Sequence, residues 1–455
     1  MSRGVNPGVR TAVSALPTVG FASQAVRCMV RPFRQPVAAP WPPWSIVAMT
    51  SSPSRHAALG AVLLSLAGAP GLAVGQAAAS VAAPVATPAP APTATAGKTE
   101  AAPAARSTLG DQARFLAGLP VPATSPLAAL ASRAEWKAHE AAMAKSWPML
   151  ANRLDRAAAF QAASLSPLVR GDRNGIYFFG GPDAAHAVKL FPDAPVYLLA
   201  GLEPVGAVEA PEAMKAAEVD SAVQQLAVTL KTIIEKSFFR TSDMGRDLRG
   251  KGIRGVEPVL FVFLARTGAE VLDATNFEVD AAGQAHDKAA GEKFGRGVPG
   301  IRIRFQFPGR PIQEMSYVSV DVLDEKLGKD SGFLTWAGRF GPANGFLKAA
   351  SFILHDNAFS KTRSFLMASC EAILQDDSGV PYHFYKKAGD WTLTCFGPYQ
   401  RPRDPFQGHM QSDLAEACKA QPVRPLDFII GYRRLNDSAL QLYVKGPPPQ
   451  LVPSH

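Results

Sequence analysis

Carboxylates and one histidine near predicted turns are the side chains of this sequence best suited to acid–base chemistry. His355 ends a predicted helix, and Asp376 and Asp377 follow another in the string QDDSGVPYH. Because histidine and carboxylate groups can transfer protons, we predict these three as candidate catalytic residues, with Asp183 as a further one. A structural role explains these residues as well. The helix dipole stabilises a histidine at the C-terminal end of a helix, and Asp-Ser-Gly forms a turn.

A second set of candidates follows two short apolar runs, Ile176–Phe179 and Val196–Ala200. The first run leads into a Gly-Gly-Pro-Asp turn, and the second ends shortly before a glutamate. An aromatic residue and a histidine also follow the polar QDDSGVP segment, and loops on a rigid scaffold often carry function. The predicted ligand-binding residues are Gly180, Gly181, Asp183, Glu203, Tyr382 and His383.

The Gly-Gly-Pro-Asp turn also allows a weaker alternative, a nucleoside-type ligand site. An acidic residue about twenty residues after a glycine-rich turn binds ribose hydroxyls in dinucleotide-binding sheets, and Glu203 occupies a comparable position. The carboxylate of Asp183 would repel a phosphate at the start of the following helix. Only a ligand without phosphate therefore fits this alternative.

Other sequence motifs do not specify a reaction. The two G-x-G-x-x-G matches, Gly250–Gly255 and Gly295–Gly300, precede predicted strands, whereas a phosphate-binding loop follows a strand and opens a helix. We predict that both are flexible basic loops. The sequence contains neither G-x-S-x-G nor H-E-x-x-H, and we predict no metal site and no cofactor.

The four cysteines are sparse and form no C-x-x-C pair. Cys28 precedes the predicted mature start, which leaves Cys370, Cys395 and Cys418. In an exported protein a Cys395–Cys418 disulfide is one possibility, and buried free thiols are the alternative.

The N-terminal region has the pattern of an export signal. Arg55 and His56 precede an apolar run that ends in small residues near position 75, so residues 49–75 are predicted to be a cleaved signal peptide. A membrane anchor is the alternative, although the run is short and contains Pro70. Residues 1–48 are predicted to be an upstream extension from a mis-assigned start, with a targeting arm as the alternative.

The amino-acid composition predicts the remaining domain boundaries. Residues 76–106 are rich in Ala and Pro and are predicted to form a disordered linker, residues 107–446 one globular domain, and residues 447–455 a disordered tail. Loss of the first 75 residues, with six Arg and no acid, lowers the net charge from +9 to +3. We therefore predict no nucleic-acid partner, and no transmembrane span after signal removal.

The elements that must position these residues indicate an α/β (or α+β) fold with a layered mixed sheet. The segment 175–206 is predicted to be a βαβ unit, followed by a helix over Pro211–Phe238. Antiparallel strands are predicted within 256–323. They are Val259–Ala265, a continuous apolar run, Ile301–Phe307, which alternates strictly, and Met315–Leu323. Between them, 280–294 is predicted to be a mobile loop.

The other predicted elements flank this sheet. The predicted helices are Ser125–Leu165, interrupted at Pro148, Pro342–His355, Phe359–Leu374 and Gln411–Lys419. The predicted strands are Tyr382–Tyr385, Thr392–Phe396 and Leu440–Val444.

Several strings resemble those of a family of uncharacterised exported bacterial proteins. They are YFFGGPD, LFPDAPVYLLAGLEPVG, VLFVFLARTG and AILQDDSGVPYHFY, and the similar region covers about Gly175 to Tyr432. The resemblance implies bacterial export and a single domain of unknown function. It assigns no catalytic residue.

These observations lead to one main functional prediction and two alternatives. We predict an exported protein of the periplasm or cell surface that acts as a binding module for a small molecule or for a protein or envelope partner. The first alternative is an exported hydrolase that uses Asp and His residues, and the second is the nucleoside-type site.

Overall fold

Ten strands form one mixed sheet in the order β4-β3-β5-β6-β2-β1-β7-β8-β10-β9. The structure is a computed structural model that describes residues 108–206, 213, 215–236, 238–239, 254–328, 331–402 and 406–446. The predicted signal peptide, linker and tail, together with Cys28, lie outside these residues. The strands are β1 (Asn174–Phe178), β2 (Val196–Gly201), β3 (Glu270–Val279), β4 (Ala285–Asp287), β5 (Val298–Gln306), β6 (Ile312–Ser319), β7 (Ala343–Leu347), β8 (Cys370–Gln375), β9 (Trp391–Phe396) and β10 (Leu440–Lys445).

Helices cover both faces of the sheet. The α-helices are α1 (Thr108–Leu116), α2 (Ala128–Ala131), α3 (Ala134–Phe160), α4 (Ala184–Leu190), α5 (Ala216–Lys236), α6 (Glu257–Arg266), α7 (Asp324–Leu327), α8 (Gly332–Gly338), α9 (Ser360–Ser369), α10 (Tyr382–Ala388) and α11 (Ser412–Lys419). Short 3₁₀ turns are Ala350–His355, Asn357–Phe359, Gln407–His409 and Leu435–Asp437, and a π-helical turn, Gln161–Leu165, extends α3. No helix in the described ranges is both long and apolar enough to cross a membrane.

Five neighbouring strands, β6-β2-β1-β7-β8, are parallel, and antiparallel strands extend the sheet on both sides. Side chains alternate between two apolar layers: Tyr177 packs on one face, and Ile176 and Phe178 pack on the other. Because successive strand residues point to opposite faces, this alternation shows that helices cover both sides of the central strands. The predicted α/β fold with a mixed sheet is therefore confirmed.

The βαβ unit and several terminal elements match the sequence predictions. β1, α4 and β2 occupy the predicted segment 175–206, and β5, β6, β9, β10 and α11 lie where strands and a helix were expected. The disulfide Cys395–Cys418 is present, and Cys370 is a buried free thiol. α3 runs through Pro148 without a break, and β4 lies within the predicted loop 280–294.

The prediction of a strand at Val259–Ala265 is wrong, because this run forms helix α6. All residues from Glu257 to Ala265 are buried between the sheet and neighbouring helices, so α6 has no polar face and no helical periodicity. A continuous apolar run does not distinguish a buried strand from a buried helix. Pro258 in the first turn fits the helix.

Three further predictions fail in the second half of the chain. The predicted helix 342–355 is strand β7 followed by a 3₁₀ turn, and the predicted helix 359–374 ends at Ser369, where β8 begins. Both strands are parallel and buried, so neither shows an alternating pattern. The predicted strand 382–385 is helix α10, which follows Pro381 and ends at Gly389 in a left-handed conformation.

Candidate functional site

The carboxyl ends of the parallel strands meet at one edge of the sheet. The chain passes from β1 to β2 on one side and later returns to place β7 on the other side of β1. The order therefore reverses between β1 and β7. In open α/β sheets, ligands bind in the crevice outside the strand ends at such a reversal.

Asp183 is the centre of a buried polar network at this position. It caps α4 by accepting a hydrogen bond from the backbone N–H of His186 at 3.3 Å, and its Oδ1 lies 2.9 Å from His186 Nδ1. The Tyr177 hydroxyl donates to Asp183 Oδ2 at 2.9 Å, and Lys348 Nζ lies 2.8 Å from the same oxygen. None of these four side chains is more than 2% exposed.

The charges in this network depend on one another. Burial alone would raise the pKa of the Asp183 carboxyl, but His186 and Lys348 hold it well below its usual value. Burial lowers the pKa of His186; Asp183 opposes this effect and the Lys348 charge adds to it. Burial also lowers the pKa of Lys348, against the pull of Asp183. Both basic groups thus contact the Asp183 carboxylate, His186 at Oδ1 and Lys348 at Oδ2.

Glu203 follows β2 and is 3% exposed. The Tyr317 hydroxyl, from β6, lies 3.2 Å from Glu203 Oε2 and 2.9 Å from the Glu203 carbonyl oxygen, to which it donates. A Cβ atom on Gly201 would collide with Glu203 Oε2, and one on Gly181 would lie 3.3 Å from it. The absence of side chains at these glycines therefore lets the carboxylate lie against the turn after β1.

These groups line a cavity of about 20 Å³ at the mouth of the crevice. The lining includes Gly180, Gly181, Asp183 and Glu203, four of the residues predicted to bind a ligand, together with Tyr177, Phe179, Phe238, Phe239, Lys348, Ala349 and Ala350. Lys348 is not among the predicted site residues, because the sequence pattern of β7 predicts a helix there. Its position directly after a buried run would have marked it as a strand-end residue.

The backbone is strained on both sides of the crevice. Phe179 directly follows β1 and has φ 65°, and Ala349 lies two residues after β7 and has φ 62°. They are the only non-glycine residues with positive φ in the described ranges. Each such conformation costs about 1–3 kcal/mol and is typically found at functional sites.

Asp376 and Asp377 lie at the end of β8 and have different partners. Asp376 accepts hydrogen bonds from the backbone N–H groups of Ala349 and Ser378, both at 3.0 Å, and from the Ser378 hydroxyl. Asp377 Oδ2 lies 2.6 Å from Arg433 Nη2. Burial raises the pKa of Asp376; burial and the neighbouring Asp376 raise the pKa of Asp377 to about 6, although Arg433 opposes this shift.

His355 ends the 3₁₀ turn after β7 and packs against Phe352 and His409, with ring centres 4.9 Å apart for the two histidines. Burial, and then the charge of His409, lower the pKa of His355 to about 4. Its hydrogen bonds go to backbone atoms of Asp377 and Gly379. Within the described residues, no hydrogen bond joins its ring to the carboxylates of the predicted acid–base set, Asp183, Asp376 and Asp377.

Tyr382 and His383 lie on α10 and do not line the crevice. The Tyr382 backbone N–H donates to Gln411 Oε1 at 2.8 Å, and the Tyr382 ring is 6.3 Å from Tyr443. His383 is exposed and its ring lies 4.1 Å from that of Phe384. The structure thus separates these two from the other predicted ligand-binding residues.

The glycine-rich segment 295–300 already binds a carboxylate of the same chain. The backbone N–H groups of Gly295 and Gly297 donate to Glu278, and these bonds, the Gly295 bond first, lower the pKa of Glu278. The donors that a phosphate would need are therefore occupied. Most of the other match, Gly250–Gly255, lies outside the described residues.

A larger hollow of about 350 Å³ lies at the opposite edge, near the amino ends of β7 and β8. Its charged side chains are Glu371, which pairs with Arg173 at 2.6 Å, and Lys445. We place the candidate site at the smaller crevice because buried ionisable groups converge there. The described part of the chain holds no group of three or more His, Cys, Asp or Glu residues that could bind a metal ion.

Comparison of the chain with protein-family models, curated proteins and solved structures finds no match.

Proposed function

We propose that this protein is an exported binding module whose ligand inserts a small polar group into the crevice between β1 and β7. One observation carries the proposal: Asp183, Glu203 and Lys348, from three different strand ends, line one cavity. Burial of a charged group costs several kcal/mol before it is paired. Ionisable side chains gathered in a crevice are therefore candidates for a functional site.

The small volume defines how the ligand binds. A water molecule needs roughly 10–15 Å³, so about 20 Å³ admits one small group and not a whole molecule. The remainder of the ligand lies outside, against the partly exposed Phe238 and Phe239. A head group in the crevice and an apolar body at its mouth agree with the usual composition of ligand sites.

A block at the mouth tests the proposed site. Ala350 is exposed and lines the crevice, so Ala350→Trp fills the entrance without disturbing the core. Ala358 is exposed on the neighbouring 3₁₀ turn, and Ala358→Trp is the matched control. The Tm of wild type and of both variants is measured in the presence of each member of a library of small amines, organic acids, amino acids, sugars and nucleosides.

We expect at least one compound to raise the Tm of wild type and of Ala358→Trp by several degrees, because a ligand in large excess over its Kd stabilises by about 2–4 kcal/mol. Ala350→Trp loses this shift. The proposal is wrong if no compound of any class raises the Tm, or if Ala350→Trp keeps the full response.

Export is the second part of the proposal. The Cys395–Cys418 disulfide supports it, because disulfides persist in oxidising compartments such as the periplasm. N-terminal sequencing of the mature protein from the periplasm or medium tests it, with a start near residue 76 expected. A mature protein retained in the cytosol, or one that begins upstream of Met49, contradicts this part.

A further inference from the structure

We propose that the group entering the crevice is a primary ammonium and that the Glu203 carboxylate receives it. This inference rests on the proposed function, because it names the ligand class of the same site. It is carried by the hydrogen bonding of Glu203, the charge of the lining, the cavity volume and the aromatic residues around it.

Glu203 is a buried carboxylate with few donors. A carboxylate has about four sites that accept hydrogen bonds. Within the described residues, the Tyr317 hydroxyl is the only group that reaches the Glu203 carboxylate, at 3.2 Å, and it also donates to the Glu203 carbonyl oxygen. Because a buried carboxylate without enough partners is costly, the cavity beside Glu203 favours a donor from outside the chain.

The charge of the lining selects a cation. Asp183 and Glu203 are acidic, and among the lining residues that the structure describes Lys348 is the one basic residue. Lys348 lies 2.8 Å from Asp183, and within the described ranges no cation pairs with Glu203. Arg153, whose charge also interacts with that of Asp183, is not among the lining residues and donates to the carbonyl oxygens of Ile233 and Ile234. A ligand carboxylate would add a further negative charge.

The size and the walls of the cavity fit an ammonium group. An ammonium has one heavy atom and three donors, which matches a space of about 20 Å³ beside an acceptor. Phe179, Phe238 and Phe239 also line the crevice. Aromatic faces attract organic cations and also cover the apolar part of such a ligand. A neutral hydroxyl would fit by size but would supply no positive charge to Glu203, which pairs with no cation in the described part of the chain.

Three probes of similar shape test the ligand class on the full mature chain. They are phenethylammonium, 2-phenylethanol and 3-phenylpropionate, and binding is measured by titration calorimetry at pH 7. A fourth and fifth probe, a short peptide with one lysine and its norleucine counterpart, both with a blocked N-terminus, distinguish a free amine from a lysine side chain as the source of the ammonium. We expect the ammonium compounds to bind and their neutral and anionic counterparts to bind at least ~tenfold more weakly.

Glu203→Gln keeps the shape of the side chain and removes its charge. We expect it to weaken ammonium binding ~10- to 100-fold, the loss expected for a charge-assisted hydrogen bond. Glu325→Gln, on an exposed residue of α7, is the matched control and keeps wild-type affinity. Equal affinity of wild type and Glu203→Gln for the amine overturns the inference. If Glu203→Gln does not fold, the ranking of the probes on wild type decides.

The outcomes separate this inference from the proposed function. If the library yields only ligands without an amine, and Ala350→Trp abolishes their binding, the ammonium assignment is wrong and the crevice remains a binding site. If neither the probes nor any library compound bind, both proposals are wrong. An amine whose binding requires Glu203 and an open mouth at Ala350 supports both.

Discussion

Lys348 Nζ lies 2.8 Å from Asp183 Oδ2, although Lys348 follows β7 and Asp183 follows β1. The ion pair therefore joins the two strand ends between which the strand order reverses. The Lys348 ammonium also lies 3.3 Å from His186 Nδ1, and Tyr177 donates to the same Asp183 oxygen. Three of the lining residues, Tyr177, Asp183 and Lys348, are thus part of one buried network with His186, and a change in one alters the others.

Lys348→Met is expected to destabilise the protein by about 3–5 kcal/mol, because it leaves the buried Asp183 carboxylate without its cation. Urea unfolding at pH 7 measures the change. Lys326→Met, on an exposed residue of α7, is the control and should stay within about 0.5 kcal/mol of wild type. The double variant Asp183→Asn/Lys348→Met should lose less stability than Lys348→Met alone; a larger loss contradicts the pairing.

The pH dependence of the free energy of unfolding should reflect the protonation of His355. Its pKa of about 4 in the folded protein lies below the ordinary histidine value of 6.5, so the unfolded chain binds more protons between these values. Stability should therefore fall as pH falls from about 6.5 to about 4, by roughly 3 kcal/mol, with no further loss from this group below pH 4. Urea unfolding over this range measures the slope.

His355→Gln removes the titrating group and should flatten this part of the profile. His286→Gln, at an exposed histidine that pairs with Asp280, serves as the control and should keep the wild-type slope. Asp376 and Asp377 act in the opposite sense, because a raised carboxyl pKa makes stability fall as pH rises. An unchanged slope in His355→Gln would show that His355 does not cause the acid loss.

The sequence predicts the part of the site that follows β1 and β2. The Gly-Gly-Pro-Asp turn and Glu203 are each next to a short apolar run bounded by turn residues. Both strand ends can therefore be predicted from the local sequence alone. The β1-α4-β2 unit and four residues of the crevice follow from this pattern.

Two features do not follow from the pattern: the contribution of β7 to the site, and the helical conformation of α6. β7 is buried on both faces, so its alternation is invisible, and a helical assignment places Lys348 in mid-helix. α6 has the converse problem, because a helix enclosed on all sides lacks the polar face that reveals its period. Contacts between segments that are distant in sequence decide whether each run forms a strand or a helix, and a local sequence pattern does not contain these contacts.

Replacement of Ala349 tests whether its backbone is strained. With φ 62° and ψ −86°, Ala349 is near the γ-turn conformation that is rare for residues with a side chain. Ala349→Gly should therefore stabilise the protein by up to about 1 kcal/mol, despite the greater freedom of glycine in the unfolded chain. Ala358→Gly is the control and should destabilise by about 0.5–1 kcal/mol. Equal destabilisation of both variants in urea unfolding contradicts the strain.

Gly431→Ala should be much more harmful than a substitution at another glycine of similar conformation. Gly431 has φ 57°, and a Cβ atom there would collide with Asp376 Oδ2, which accepts from the Ala349 N–H. Gly389 has φ 80° at the end of α10, and a Cβ atom there meets no atom within 4 Å. Gly389→Ala thus measures backbone strain alone, about 1–2 kcal/mol.

Gly431→Ala adds the displacement of a buried carboxylate from its donors and should cost at least about 2 kcal/mol more. Chemical unfolding of both variants measures the difference. Because Asp376 holds the backbone of Ala349, the displacement should also disturb the crevice, and Gly431→Ala should reduce the ligand-induced rise in Tm while Gly389→Ala preserves it. Equal losses of stability in the two variants would show that Asp376 does not occupy the position beside Gly431.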